Sequence, residues 1–151
     1  MWANPKFETR PARGAISILR ANRNVILMMD SDKATESDEI NSTKKRVIAE
    51  IEKTNGIGWL TAGREIENYI PVNALRSYYS NQSISGPSQY TKLPEYLKRS
   101  KLDESGIFNK VKFAEEIEEY LQKSDLEKVL DLNSQMELLC NRIKSWNGSN
   151  L

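Results

Sequence analysis

The run Val25-Ile26-Leu27-Met28-Met29 constrains this chain more than any other feature. It is too short for an ordinary helix, and it lacks the alternation of a strand with one wet face. The pattern that fits is a short strand buried on both sides, as in a parallel sheet. The run stops at Asp30-Ser31-Asp32, and residues 30–41 are polar and acidic, which predicts a loop. Asn41 or Ser42 can cap a following helix. That helix is expected over residues 43–53, with Val47, Ile48 and Ile51 on one face. Asn55-Gly56 ends it, and residues 57–61 read as a second strand. Strand, helix, strand at this spacing is a βαβ unit, which implies parallel strands and a right-handed crossover.

The remaining elements follow from periodicity and punctuation. Residues 1–13 carry Pro5 and Pro11 and read as an extended lead-in, and residues 15–21 as a short helix. Residues 64–70 form a helical turn ended by Pro71, and a helix follows over 72–79. Ser, Asn and Gly dominate residues 80–89, which predicts a flexible loop or insertion. A short helix is expected at 94–101. The last third is helical. Phe113, Ile117 and Leu121 share one face, and Leu132, Met136, Leu139, Cys140 and Ile143 recur at helical spacing. At 151 residues the chain is expected to be one domain. Its parts are a core over 1–79, a variable segment over 80–108, and a helical part over 109–151. The predicted class is α/β: a parallel sheet flanked by helices, with a helical C-terminal segment.

Composition excludes several chemistries. The chain has no histidine, so Ser-His and Cys-His nucleophiles and the usual zinc sites are out. Metal chemistry here has to use oxygen ligands, which suit magnesium, manganese or calcium. The single cysteine, Cys140, excludes a disulfide framework and is expected as a plain buried thiol. No apolar stretch is long enough to span a bilayer and the N-terminus shows no apolar signal region, so the cytoplasm is the expected location and no membrane partner is expected. Net charge is +1, so bulk charge does not argue for nucleic acid.

The chemistry-bearing residues lie behind the two strands. Ligands of open α/β sheets bind outside the carboxyl ends of the strands. Asp30 and Asp32 leave the first strand there, and Arg64-Glu65-Ile66-Glu67-Asn68-Tyr69 follows the second. Four acids at one edge need compensation by metal or by Lys and Arg, because crowded like charges resist ionisation. The ordinary readings are a hydrated Asp-x-Asp loop and an amphipathic helix start with acids near its N-terminal dipole. Lys33, Lys44, Lys45 and Arg64 are candidate contacts to a nucleic-acid backbone, as are Arg10, Arg13, Arg20, Arg23 and Arg46; otherwise they form a solvated surface. Trp59, Tyr69, Tyr78 and Tyr79 are expected in the core rather than as base-stacking platforms.

Taken together, the apolar strand, Asp30-Ser31-Asp32-Lys33, the helix opening at Asn41-Ser42-Thr43-Lys44-Lys45-Arg46 and the string from Gly56 through Trp59-Leu60-Thr61 and Gly63-Arg64-Glu65-Ile66-Glu67-Asn68-Tyr69-Ile70-Pro71 resemble a Toprim domain. The likeness is to Toprim domains of the OLD (overcoming lysogenization defect) family of ATP-dependent endonucleases. It covers residues 24–75 and extends to Asn109-Lys110-Val111-Lys112-Phe113-Ala114. The resemblance implies a metal-dependent nuclease using magnesium or manganese, with two ions about 4 Å apart across the scissile phosphate. It implies Asp30, Asp32, Glu65 and Glu67 as metal ligands, with Glu65 slightly favoured over Glu67. Both glutamates and Lys110 are then catalytic, Lys110 stabilising charge on the phosphate. It also implies DNA as substrate, an ABC-type ATPase domain or subunit as partner, a possible homo-oligomer and a role in phage defence.

The family pattern opens with an earlier strand ending in glutamate, as Glu-Gly-x-x-Asp. Here Glu8 is the only acid before Asp30, and no phosphate-binding loop of the ATPase type occurs. The chain therefore reads as the C-terminal part of a longer protein, with weak metal binding and poor cleavage expected of it alone. The alternative is a non-catalytic or degenerate Toprim-like module used for assembly or regulation with an ATPase partner. Haloacid-dehalogenase-like phosphatases also open with a strand and Asp-x-Asp, but Ala34 stands where they carry Thr or Val. Glycosyltransferases that use Asp-x-Asp are much longer.

Overall fold

A computed structural model describes residues 24–103 and 108–148. The expected lead-in, the helix at 15–21, Glu8 and Arg10, Arg13, Arg20 and Arg23 lie outside the described residues. Strand β1 (Ile26–Met29) leads through the acidic loop to helix α1 (Ser42–Lys53) and strand β2 (Ile57–Leu60). The strands pair in parallel, with Ile26 opposite Ile57 and Met29 opposite Leu60. This is the βαβ unit that the apolar pattern predicts. A 3-10 turn (Ile66–Tyr69) and helices α2 (Val72–Tyr78), α3 (Leu93–Arg99) and α4 (Lys110–Ile117) follow. A second 3-10 turn (Glu118–Tyr120), α5 (Lys123–Leu126) and α6 (Leu132–Trp146) complete the described chain. The architecture is mixed α/β. Among the described residues no helix is long and apolar enough to cross a membrane.

Local chemistry explains the element ends. The Asn41 side chain accepts from the Thr43 N–H at 2.8 Å, so the predicted cap of α1 is in place. Asn55 ends the helix in the left-handed region at φ 66. Gly56 then passes close under the helix: a Cβ there would lie 2.7 Å from Ile51 Cγ2 and 2.9 Å from the Val25 carbonyl. Gly58 likewise makes room for Ile48, which packs α1 onto one face of the sheet. On the opposite face Ile57 and Trp59 are buried, and the Trp59 ring meets Tyr69 edge-on at 5.7 Å.

A second packing centre is helical. Leu75 of α2, Leu93 and Leu97 of α3, and Phe113 and Ile117 of α4 form it with Ala74 and Ile84. Tyr78 meets Tyr79, Phe113 and Tyr120 edge-on at its border. Edge-on aromatic pairs add about 0.5–1.5 kcal/mol each beyond their buried area. The four aromatic residues expected in the core are thus buried or packed against it.

Three expectations are corrected. β1 is not buried on both sides: Ile26 and Met28 are 40% and 43% exposed. Among the described residues only β2 pairs with it, and these two side chains stay partly open on the face that holds Ile57 and Trp59. Cys140 is exposed rather than buried. In α6 the half-buried positions are Leu132, Gln135, Leu139, Arg142 and Trp146, and that stripe leaves Met136, Cys140 and Ile143 along its flank. Arg142 anchors the helix by donating to the Asn55 carbonyl at 3.0 Å. Finally, the segment at 80–89 is irregular, as its composition predicts, but it is built into the molecule. Ile84 is buried in the helical core and its carbonyl accepts from Arg76 Nε at 2.8 Å.

Candidate functional site

The parallel strands end side by side, so the segments leaving them meet. Four hydrogen bonds, two of them to one carbonyl, fix how they meet. The Ser31 N–H donates to Thr61 Oγ1 at 2.8 Å. The Ser31 hydroxyl donates to the Gly63 carbonyl at 2.6 Å, and the Thr61 hydroxyl donates to the same carbonyl at 2.8 Å. The Asp32 N–H then donates to the Arg64 carbonyl at 3.0 Å. Ser31 and Thr61 are both buried, so this knot is dry. Of the two aspartates flanking Ser31, Asp30 is half-buried and Asp32 is exposed. Asp32 takes a left-handed backbone, φ 59, which its short polar side chain tolerates.

Asp30 reaches across to the second segment. Its Oδ1 accepts from the Ile66 N–H at 2.9 Å, at the opening of the 3-10 turn. The turn is braced by Asn68, whose Oδ1 accepts from the Glu65 N–H at 2.9 Å. Glu65 is 9% exposed and Glu67 is half-buried. Tyr69 closes the turn from below: its hydroxyl accepts from the Ala62 N–H at 2.8 Å and donates to Asp131.

Lysines compensate the four acids. Lys44 Nζ donates to the Asp30 carbonyl at 2.6 Å and pairs with Asp32. Lys110 Nζ lies 2.6 Å from Glu67 Oε1 and 3.8 Å from Glu65 Oε2. Lys92 Nζ lies 3.7 Å from Glu65 Oε1. The hydrogen bond to Glu67 raises the Lys110 pKa, and the charges of Glu67, Glu65 and Asp30 add to it, so the ammonium form is favoured. One oxygen on each glutamate, Oε2 of both Glu65 and Glu67, is buried without a hydrogen-bond partner.

The chain matches no family model, no curated protein and no solved structure.

Of the residues singled out in the sequence, Asp30, Asp32, Glu65, Glu67, Lys44 and Lys110 are linked around this edge by the contacts above. Arg64 lies in the same segment, with its backbone held by the Gln89 carbonyl at 2.9 Å and its Nε buried without a hydrogen-bond partner. Three candidates turn elsewhere. Lys33 donates to the Glu36 carbonyl at 2.7 Å and sits over the Tyr90 ring, Lys45 pairs with Glu39 at 3.2 Å, and Arg46 pairs with Glu50 at 3.9 Å. Among the described residues no three acidic side chains converge closely enough to hold one ion as they stand. Sequence reasoning missed Ser31 and Thr61 as the knot, and it missed Lys92. A serine between two aspartates and a threonine at the end of the second strand are a readable signal. Lys92 carries none.

Proposed function

We propose that this chain carries the phosphodiester-hydrolysing core of a metal-dependent nuclease of the Toprim type, as found in OLD-family ATPase-nucleases. The observation that carries the reading is the hydrogen bond from the Ile66 N–H to Asp30 Oδ1, which brings the acids of the two strand ends to one sheet edge. The donor set suits a hard divalent cation: it is all oxygen, and the buried Oε2 atoms of Glu65 and Glu67 accept no hydrogen bond, that of Glu65 having only the Lys110 ammonium at 3.8 Å. Asp30, Asp32, Glu65 and Glu67 would hold magnesium or manganese. When bound, such ions supply Lewis-acid polarisation of a phosphoryl oxygen and lower the pKa of a bound water.

The chain's own residues do the rest. Lys110 brings a full positive charge to the edge where charge grows on the phosphate, and charge aimed there stabilises a transition state most when the site is dry. Lys44 holds the Asp30 carbonyl and the Asp32 carboxylate, and so sets the angle of the loop. The Ser31-Thr61-Gly63 knot keeps the two acidic segments at fixed separation. DNA is the proposed substrate, an ATPase domain or subunit the proposed partner, and the cytoplasm the proposed location.

A second reading is a non-catalytic Toprim-like module used in assembly. The short Lys110–Glu67 pair favours it, because an acid already neutralised by an ammonium group has less need of an ion. Nicking of supercoiled plasmid with manganese separates the two. Manganese-dependent nicking that is lost in Asp30→Ala supports the nuclease. Equal nicking by both proteins, or no nicking together with no manganese binding, favours the second reading.

A further inference from the structure

The segment between α2 and α3 does more than fill the helical core. Its end is strapped onto the acidic turn. Asn68 Nδ2 donates to the Ser88 carbonyl at 3.2 Å and to the Thr91 carbonyl at 2.9 Å. The Arg64 N–H donates to the Gln89 carbonyl at 2.9 Å, and Gln89 Nε2 returns a bond to the Ala62 carbonyl at 2.8 Å. At the other end of the strap the Gly86 N–H donates to the Tyr96 hydroxyl at 3.0 Å. Such a strap fixes the backbone of the next residue, Lys92, beside Glu65.

Lys92 precedes the first turn of α3 and makes no side-chain cap to it. Its ammonium instead faces Glu65 Oε1 at 3.7 Å, while Lys110 faces the other oxygen at 3.8 Å. The two partners differ in freedom. The Glu65 side chain is 12% exposed, and that of Lys92 is 42% exposed. At 3.7 Å the contact is an ion pair without hydrogen-bond geometry, and pairs of this exposed kind contribute little. The carboxylate is therefore the fixed member and the ammonium the movable one.

We infer that Lys92 is a substrate-contacting residue of this site: it rests on Glu65 and transfers to a backbone phosphate of the nucleic acid when a divalent cation takes the carboxylate. The inference rests on the nuclease reading. The exchange is electrostatic and breaks no covalent bond. A cation on Glu65 removes the attraction that holds Lys92, and a phosphate docked at the edge replaces it with a charge-assisted hydrogen bond. The strap keeps the lysine within reach of both partners, and so gives the inserted segment a role in the site.

Two measurements on the full chain test this without reading cleavage. Manganese binding is followed by the loss of the free-ion paramagnetic resonance signal. Removing a positive charge beside the ligand should tighten binding about threefold to tenfold in Lys92→Gln, by the Coulomb term at several ångströms in a wet site. Binding of a short DNA duplex is measured against salt with calcium in place of manganese. Losing one phosphate contact should lower the slope of log affinity against log salt by about 0.9 in Lys92→Gln. Lys92→Arg should keep the slope, and so should Lys98→Gln, whose lysine is exposed on α3. A wild-type slope in Lys92→Gln, or the same drop in Lys98→Gln, overturns the role of Lys92 and leaves the nuclease reading standing. Wild-type protein that shows no salt-dependent duplex binding overturns both.

Discussion

Replacing Thr61 with valine keeps the shape of the side chain and removes one oxygen from the knot that joins the strand ends. That oxygen accepts from the Ser31 N–H at 2.8 Å and donates its proton to the Gly63 carbonyl at 2.8 Å. The two losses are unequal. Gly63 keeps its bond from the Ser31 hydroxyl at 2.6 Å, so its carbonyl stays satisfied. Among the described residues the Ser31 N–H has no second acceptor, and with Ser31 at 4% and Thr61 at 3% exposure water cannot replace the first. An orphaned buried donor costs about 1–3 kcal/mol and a lost redundant bond about 0.5–1.5 kcal/mol, so about 1.5–4.5 kcal/mol is expected in total. For a domain of this size each kcal/mol lowers Tm by about 2–4 °C, which makes the expected drop about 3–18 °C. Thermal unfolding by circular dichroism and urea titration both read it. Ser31→Ala and the double variant complete a cycle, which should show coupling above about 0.5 kcal/mol because the residues share one network. A Thr61→Val protein within about 0.5 kcal/mol of wild type would falsify the claim that this knot holds the two acidic segments together.

Two further outcomes follow from the same neighbourhood and from the helical core. Gly63→Ala places a methyl group 2.6 Å from Asn68 Cβ, an atom fixed to the backbone, and so should cost about 1–3 kcal/mol. It should also speed amide exchange at Arg64, whose N–H is held by the strap; unchanged exchange there counts against a strap braced by Asn68. Three tyrosines have pKa values pushed up to about 12: Tyr69 by burial and then by its bond to Asp131, Tyr78 by its bond to Glu116, and Tyr79 by burial and then by the nearby acids Asp103 and Glu116. The ordinary value is 10.0, so the native state keeps these protons longer than the unfolded chain does. Their stabilisation is fully present below about pH 10 and is lost as pH rises through about 12. Urea midpoints should fall across that window, and less steeply in Tyr78→Phe, which lacks the proton donated to Glu116 at 2.6 Å. Midpoints that stay flat from about pH 9 to about pH 11.5 contradict the linkage.

What the sequence determined by itself was local. The apolar run, the Asn41 cap and the stop at Asn55-Gly56 predict the order and the parallel pairing of the βαβ unit, because each depends on residues within a few positions of one another. The candidate acids were legible for the same reason: they follow strand ends, and strand ends of a parallel pair share an edge. Tertiary structure decided the rest. Ile26, Met28 and Cys140 look like core residues in the sequence, yet exposure depends on which neighbouring element covers a face, and periodicity names a face without naming its cover. Lys92 sits in the variable segment, between the predicted loop at 80–89 and the predicted helix at 94–101. It reaches Glu65 because Asn68 and Gln89 tie that loop to the acidic turn, and such long-range hydrogen bonds leave no spacing pattern in the chain. The division is physical: helices, caps and strand runs are selected by short-range sterics and hydrogen bonds, whereas the pairing of a charge with its partner is settled only when separate segments pack.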